Sequence, residues 1–148
     1  MLVLVAAAFG WALRGWLAAV LAAVSYASVW TMEQGLRLVL FQPRPSPDLV
    51  RVIGHLPGSA FPSTFALAYP GTVGFVAVLA LTAGPAVWRM FLFVVCAALL
   101  PVGFGARVAL GAHWPSDVLL SGLLGFLWIS ALLAFERRTG TGHAKPTV

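Results

Sequence analysis

The chain has 148 residues, of which 61% are hydrophobic and 9% charged. A soluble domain carries roughly 25% charged residues, so this composition excludes a soluble globule. The apolar runs are long and do not alternate, which predicts an all-α, polytopic transmembrane helical bundle. The formal net charge of +5 does not indicate nucleic-acid binding, because the arginines flank the apolar runs.

Four full spans and a partial N-terminal helix are predicted. Residues 1–13 are apolar but shorter than the ~20 residues that a span needs. They are expected to form half a helix, an interfacial segment or the end of a longer span. The full spans are expected at residues 15–42, 62–83, 86–111 and 114–135. Residues 1–138 then form one transmembrane domain, and residues 139–148 a short disordered cytoplasmic tail.

Prolines and small residues predict local features of these spans. Three prolines within residues 43–47 end the first span and stiffen the following connection. Pro70 and Gly71 predict a kink or a close contact in the second span, and Pro101 predicts a bend in the third. The small residues within 121–125 predict close helix packing in the fourth span.

The arginines predict which ends of the spans share a side of the membrane. If the spans alternate in direction, four arginines fall together on the side that the positive-inside rule makes cytoplasmic: Arg14, Arg89, Arg137 and Arg138. Residues 43–61 and 112–117 then share the opposite face. We therefore expect an integral protein of a bacterial plasma membrane, with its polar connections facing outward and its C-terminus in the cytoplasm.

Candidate chemistry is concentrated on that outward face. Arg107, His113 and Asp117 place a cation, an imidazole and a carboxylate at the junction of the third and fourth spans. Arg37 and Arg44 lie near the same end. Three guanidinium groups near one point repel one another unless an anion lies between them, and a phosphate has several oxygens for their forked donors. These residues predict a phosphate site.

Other polar residues have both functional and structural interpretations. Ser63 begins the second span, where free backbone N–H groups attract an anion, but it is also an ordinary helix cap. Asp117 lies in the first turn of the fourth span, where an acid stabilises the helix. Glu33 is four residues before Arg37 and can pair with it on one helix face. His55 is an auxiliary candidate or a solvated loop residue.

The spacing of these residues resembles that of the type 2 phosphatidic acid phosphatase (PAP2) superfamily of membrane lipid phosphatases. The third motif of that family is Ser-Arg, five residues, His, three residues and Asp. Ala106, Arg107, His113 and Asp117 match this spacing, with Ala in place of Ser. The resemblance covers roughly residues 16–135.

The other two motifs differ in how well they match. The first motif is Lys, six residues and Arg-Pro, and Arg37 with Arg44 and Pro45 keeps its spacing, with Arg in place of Lys. The second motif is Pro-Ser-Gly-His, whereas residues 62–65 read Pro-Ser-Thr-Phe. Phe65 therefore stands where the family has a histidine.

The resemblance implies a phosphohistidine mechanism. His113 would take the phosphoryl group, and Asp117 would hydrogen-bond the other ring nitrogen. The three arginines of the first and third motifs would stabilise the phosphoryl oxygens, and Ser63 would donate to the same oxygens. Water would then hydrolyse the phosphohistidine. No metal or other cofactor is expected, because the arginines supply the positive charge.

The implied function is hydrolysis of a membrane lipid phosphate or polyprenyl diphosphate on the non-cytoplasmic face. The histidine that Phe65 replaces protonates the leaving oxygen in the family. The chain could therefore be an impaired relative that binds lipid phosphate without turnover. Alternatively, a diphosphate needs no acid, because its leaving phosphate has a pKa of about 6, against about 15.7 for a water-like alkoxide. A third explanation is that His55 supplies the proton.

Overall fold

The computed structural model describes residues 1–52 and 57–140. Within these ranges the protein is all-helical, which confirms the predicted fold class. The elements are α1 (Leu2–Arg14), α2 (Trp16–Val39), α3 (Thr64–Tyr69), a π-helical segment (Pro70–Gly74), α4 (Phe75–Thr82), α5 (Val87–Ala109) and α6 (Pro115–Gly140). The described residues include four stretches long and apolar enough to span a membrane, namely α2, α3 to α4, α5 and α6. The protein is therefore an integral membrane protein.

The ends of the predicted spans agree with those of the observed helices to within three residues, except at the C-terminal end of the fourth span. There, α6 continues to Gly140, beyond the predicted end at residue 135, and so includes the first two residues of the predicted tail. The remaining tail, residues 141–148, lies outside the described residues. α5 continues through Pro101 to Ala109.

The stretch from α3 to α4 is the centre of the bundle. In its most apolar 18-residue stretch, 67% of the residues are buried inside the protein, against 6% in the corresponding stretch of α5. Phe75 and Leu79 of α4 are fully buried and pack with Ala22 of α2 and Ile129 of α6. The exposed apolar side chains of α5 instead form a lipid-facing surface, as expected for a helix at the edge of a membrane bundle.

The predicted irregularity at Pro70 and Gly71 is a π-helical segment. Pro70 has no N–H to continue the α-helical ladder, and the hydroxyl of Thr72 donates to two carbonyl groups of the preceding turn, at 3.3 and 3.2 Å. A Cβ atom on Gly71 would lie 2.7 Å from Ser25 Oγ. The segment thus combines a wider turn with a close helix contact.

The predicted close packing in α6 is confirmed. Ser121 is fully buried, and its Oγ accepts a hydrogen bond from the Ser63 backbone N–H at 2.9 Å. A Cβ atom on Gly125 would overlap the carbonyl oxygen of Leu67 and lie 3.1 Å from Pro70 Cγ. Small residues therefore let α6 approach the backbone of α3 directly.

Polar contacts at the other end of the bundle join three helices. Arg14 Nη1 lies 3.3 Å from Glu136 Oε2, and Arg14 Nη2 donates to Thr82 Oγ1 at 2.7 Å. Arg89 donates to the Ala83 carbonyl nearby. The ends of α1, α4 and α6 therefore lie together, as the alternation of the spans requires.

Replacing Gly125 by Ala should destabilise the protein, because the new methyl group would meet helix backbone that cannot move aside. We expect a loss of about 1–3 kcal/mol, typical of overpacking, seen as a lower unfolding temperature in detergent. Gly35→Ala is the matched control, since no heavy atom lies within 4 Å of its Cβ position. That change should be neutral or stabilising by about 0.5–1 kcal/mol. Equal effects of both changes would contradict the packing account.

Candidate active site

The site begins with a tight reversal at the end of α5. Gly111 has φ 64°, and its N–H donates to the Val108 carbonyl at 2.9 Å. The Ala112 N–H donates to the Arg107 carbonyl at 3.2 Å. This pair of hydrogen bonds is a Schellman motif, which needs a left-handed residue at its turn. The reversal carries His113 back beside Arg107, and the glycine just after the apolar run was the signal that sequence analysis missed.

His113 is held in one orientation by a backbone group. Its side chain is buried, with 3% of the residue exposed, and its Nδ1 lies 2.7 Å from the Ala60 carbonyl oxygen. A carbonyl oxygen only accepts hydrogen bonds, so Nδ1 carries the proton. Nε2 is then unprotonated, and its lone pair accepts a hydrogen bond from Arg107 Nη2 at 3.4 Å. The ring therefore presents its nucleophilic nitrogen to a cation.

The expected contact between Asp117 and His113 is replaced by this bond to Ala60. Asp117 Oδ2 instead accepts a hydrogen bond from the Trp114 backbone N–H at 3.1 Å. A carboxylate in the first turn of a helix reaches back to the free N–H groups there and is favoured by the helix dipole. Asp117 thus stabilises the start of α6, the structural alternative that the sequence offered.

The environment keeps the His113 ring neutral. The pKa of His113 is lowered to about 4, chiefly by burial and also by the positive charges of Arg44, Arg107 and Arg37, whereas the bond to the Ala60 carbonyl opposes the change. The neutral imidazole is therefore the dominant form at pH 7. Only that form has a ring-nitrogen lone pair that can act as a nucleophile.

Arg44 ties the connection after α2 to the reversal after α5. Its Nη1 donates to the Ala112 carbonyl at 2.7 Å, and its Nη2 donates to the Pro57 carbonyl at 3.5 Å. Burial lowers the pKa of the Arg44 guanidinium, and the charges of Arg37 and Arg107 add to this effect. The structure therefore brings all three predicted phosphate-binding arginines into one electrostatic cluster.

Arg37 is held at the end of α2 by Glu33 and Thr64. Its Nε lies 2.9 Å from Glu33 Oε1, which confirms the predicted pair. Its Nη2 donates to the Pro62 carbonyl at 3.3 Å and to Thr64 Oγ1 at 3.4 Å. Thr64 in turn donates to Glu33 Oε1 at 2.5 Å. The buried carboxylate thus positions Arg37, and the part played by Thr64 was visible only in three dimensions.

Each of the three arginines keeps one buried N–H without an acceptor. The Nε atoms of Arg37, Arg44 and Arg107 have no hydrogen-bond partner. For Arg37 this holds although Glu33 Oε1 is 2.9 Å away, because that contact is not aligned as a hydrogen bond. Leaving such a donor unsatisfied costs about 1–3 kcal/mol. These donors are available to the oxygens of a bound anion, although the Nε of Arg89, at the opposite end of the bundle, is unpartnered as well.

Ser63 occupies the helix-capping position. Its Oγ accepts a hydrogen bond from the Ala66 N–H at 3.4 Å, and its own N–H is taken by Ser121. These bonds satisfy the polar groups of Ser63, which is completely buried. Its contact with phosphate stays a prediction, and His55, the auxiliary candidate, lies outside the described residues.

Phe65 lies against Arg107 at the edge of the site. The Arg107 guanidinium is 5.7 Å from the centroid of the Phe65 ring, within cation–π range. The ring also contacts that of Tyr69, with centroids 4.5 Å apart. Phe65 can therefore orient Arg107, but it cannot transfer a proton. Among the described residues, no group of three or more His, Cys, Asp or Glu side chains could hold a metal ion.

Comparison with known proteins identifies one family. A family model described as the PAP2 superfamily matches residues 14–140. No curated protein and no solved structure gives a significant match. The matched range includes every site residue described above.

The low pKa of His113 should make stability depend on pH. The folded-state pKa of about 4 is below the ordinary value of about 6.5, so the unfolded chain binds the proton more readily. This contribution to stability is complete above about pH 6.5 and falls as the pH drops towards 4. Unfolding temperatures in detergent, measured without oxyanion buffers, should therefore decrease over this range.

His113→Gln should flatten this decrease, whereas His143→Gln, in the predicted tail, should leave it unchanged. The same pH dependence in the wild type and in His113→Gln would contradict the assignment of a buried, neutral histidine.

Proposed function

Because the chain belongs to the PAP2 superfamily, we propose that it hydrolyses a phosphate group on a membrane lipid, with His113 as the nucleophile. Membership of the superfamily supports a phosphatase-type activity in general. The finer proposal rests on one observation, the Nε2 lone pair of a buried histidine that faces Arg107 at 3.4 Å. The acceptor-free arginine N–H groups around it support an anionic substrate.

In the first chemical step, His113 Nε2 forms a bond to phosphorus as the bond from phosphorus to the leaving oxygen breaks. When the substrate is a lipid diphosphate, the leaving group is the lipid monophosphate, and the terminal phosphoryl group stays on the imidazole. The ring gains a positive charge, while its Nδ1 proton remains bonded to Ala60. Arg37, Arg44 and Arg107 stabilise the charge on the phosphoryl oxygens during the transfer.

In the second step, water attacks the phosphohistidine. The bond from phosphorus to Nε2 breaks, both protons of the water leave with inorganic phosphate as H₂PO₄⁻, and His113 returns to its neutral form. The reaction needs no outside reagent other than water. The Ala60 carbonyl supports both steps, because it keeps the same nitrogen protonated throughout.

Phe65 favours a diphosphate over a monoester as the substrate. A leaving phosphate with a pKa of about 6 departs without a proton. An alkoxide needs a proton to leave, because it resembles the conjugate base of water, whose pKa is about 15.7. The residue at position 65 is the one that supplies this proton in the motif. A lipid diphosphate, such as a polyprenyl diphosphate, is therefore the substrate class that suits this site best.

The competing function is binding of lipid phosphate without turnover. The same arginine cluster supports it, since anion binding requires neither a proton donor nor an attacking group. The two functions differ in the release of inorganic phosphate, which only the enzyme produces.

The purified protein in detergent should release phosphate from a polyprenyl diphosphate faster than from phosphatidic acid. His113→Ala should abolish the release, because no other group in the proposed mechanism attacks phosphorus. Colorimetric measurement of inorganic phosphate tests both statements. Release from neither lipid above the His113→Ala background would exclude the enzyme and leave the binding function.

Placing a proton donor at position 65 should increase the rate of monoester hydrolysis alone. Phe65→His is expected to increase hydrolysis of phosphatidic acid, since general acids contribute about 10²–10⁴-fold, with little change for the diphosphate. An unchanged monoester rate would count against the missing acid as the defect. If His55 supplies the proton instead, His55→Ala should reduce monoester hydrolysis in the wild-type protein.

We also propose that the site faces the non-cytoplasmic side. The basis is the positive-inside rule applied to the arginines at the opposite end of the spans: Arg14, Arg89, Arg137 and Arg138.

An impermeant thiol reagent tests this orientation in intact cells. In a Cys96→Ala background, which has no other cysteine, Asp48→Cys should react from outside. Pro85→Cys, exposed in the turn at the other end of the bundle, should react only after the cells are opened. The reverse pattern would invert the proposed topology.

A further inference from the structure

A cavity lies between α4 and α6 at the end of the bundle opposite to the candidate active site. Its volume is about 440 Å³, within the range of cavities that hold small ligands. We term this cavity the basic groove. One wall is Val78 of α4, and the other is a single face of α6, since the residues there are spaced by three or four. The α6 residues of the groove are Ser130, Leu133, Ala134, Arg137 and Arg138.

The basic groove changes from largely apolar to charged along its length. Ser130 and Arg138 are eight residues apart on α6, which is about 12 Å at the α-helical rise. The small side chains of Ser130 and Ala134 leave space beside Val78 in the deeper part. The two guanidinium groups lie at the other end, where α6 leaves the apolar region. A ligand that fits this gradient has an anionic head and an apolar tail.

Positive charge exceeds negative charge at this end of the bundle. Its one acidic residue, Glu136, lies 3.3 Å from Arg14, and the other three acidic residues of the chain are at the opposite end: Glu33, Asp48 and Asp117. Arginine forks bind phosphate oxygens well, and basic pockets between membrane helices attract anionic lipid head groups. A phosphate group therefore complements the groove. The arginines at this end are Arg14, Arg89, Arg137 and Arg138.

The basic groove is separate from the candidate active site. Asp117, in the first turn of α6, and Arg137, in its last turn, are twenty residues apart, or about 30 Å along the helix. The hydrocarbon core of a bilayer has about the same thickness, roughly 30 Å. A lipid in the groove would therefore belong to the other leaflet, with its phosphate out of reach of His113.

We propose that the basic groove binds one anionic phospholipid of the leaflet opposite to the candidate active site. Its phosphate lies at Arg137 and Arg138, and the first part of one acyl chain lies against Ala134 and Val78. This inference does not depend on the proposed hydrolysis. A zwitterionic lipid fits less well, because its cationic group would meet the same arginines. The bound lipid links α4, in the centre of the bundle, to the C-terminal end of α6.

A thiol placed in the groove reports whether the groove is occupied. Ala134→Cys in the Cys96→Ala background puts the only thiol of the chain on an exposed part of the lining. Alkylation by N-ethylmaleimide in a neutral detergent, followed by mass spectrometry, measures access to it. Dioleoyl phosphatidylglycerol should slow alkylation about tenfold at ten times its dissociation constant. Lipid bound at the distant arginine cluster does not shield this thiol, so the measurement is local.

Two related compounds separate an anionic lipid from other ligands. Dioleoyl phosphatidylcholine has the same chains without net charge, and glycerol 3-phosphate has a phosphate without chains, so neither should protect the thiol at the same concentration. Equal protection by phosphatidylcholine would overturn the proposal, because the groove would then take any lipid. Equal protection by glycerol 3-phosphate would overturn it as well, since the ligand would then be a soluble phosphate.

Removing one arginine tests the position of the phosphate. In the same reporter protein, Arg137→Gln should weaken binding of phosphatidylglycerol about fivefold, the effect of one arginine near an anionic lipid surface. Arg89→Gln is the matched control, because it removes the same charge from the same end of the bundle but does not line the groove. Equal weakening by the two variants would mean that overall charge attracts the lipid, and it would overturn the site.

A bulky side chain in the groove offers a second test, which needs no reporter thiol. Ala131 and Ala134 are both exposed on α6, and of the two only Ala134 lines the groove. Native mass spectrometry of the protein with phosphatidylglycerol should show one retained lipid fewer for Ala134→Trp than for Ala131→Trp. The same number of retained lipids in both variants would contradict binding between α4 and α6.

Discussion

The hydrogen bond from His113 Nδ1 to the Ala60 carbonyl is the contact on which the site depends. It joins the connection after α2 to the turn between α5 and α6, two segments separated by 53 residues. It also determines the tautomer, since a carbonyl oxygen can only accept. The lone pair of Nε2 is therefore aimed at Arg107 before any substrate arrives. A backbone oxygen performs the orienting task that the sequence suggested for Asp117.

The arginine cluster is the costly part of this arrangement. Charges at the edge of a membrane are poorly screened, so three neighbouring guanidinium groups repel one another. Glu33 offsets part of that repulsion through Arg37, and carbonyl groups such as that of Ala112 take up N–H groups of Arg44. The Nε donors that remain unsatisfied are available to the oxygens of an anion. Such a cluster supports both the proposed binding of phosphate and the proposed catalysis, and in that proposal Phe65 limits which group can leave.

Local rules accounted for most of the fold and for part of the site. The long apolar runs and the residues that interrupt them located the spans, and Pro70 marked the π-helical segment. The pairing of Glu33 with Arg37 followed from a spacing of four residues on one helix. Motif spacing singled out the arginines and His113. Each of these features depends on residues close in the chain or on composition, so no knowledge of the packing was needed.

Contacts between distant segments lay beyond those rules. Composition and spacing determined a helical membrane protein and its order of spans, and they predicted which residues are available for phosphate chemistry. The tertiary structure alone decided that Ala60 rather than Asp117 orients His113, because a backbone carbonyl has no signature in the sequence. It likewise decided that Thr64 bridges Glu33 and Arg37. Hydrophobicity specifies which helices enter the membrane, whereas the shape of the packed side chains determines which of them touch.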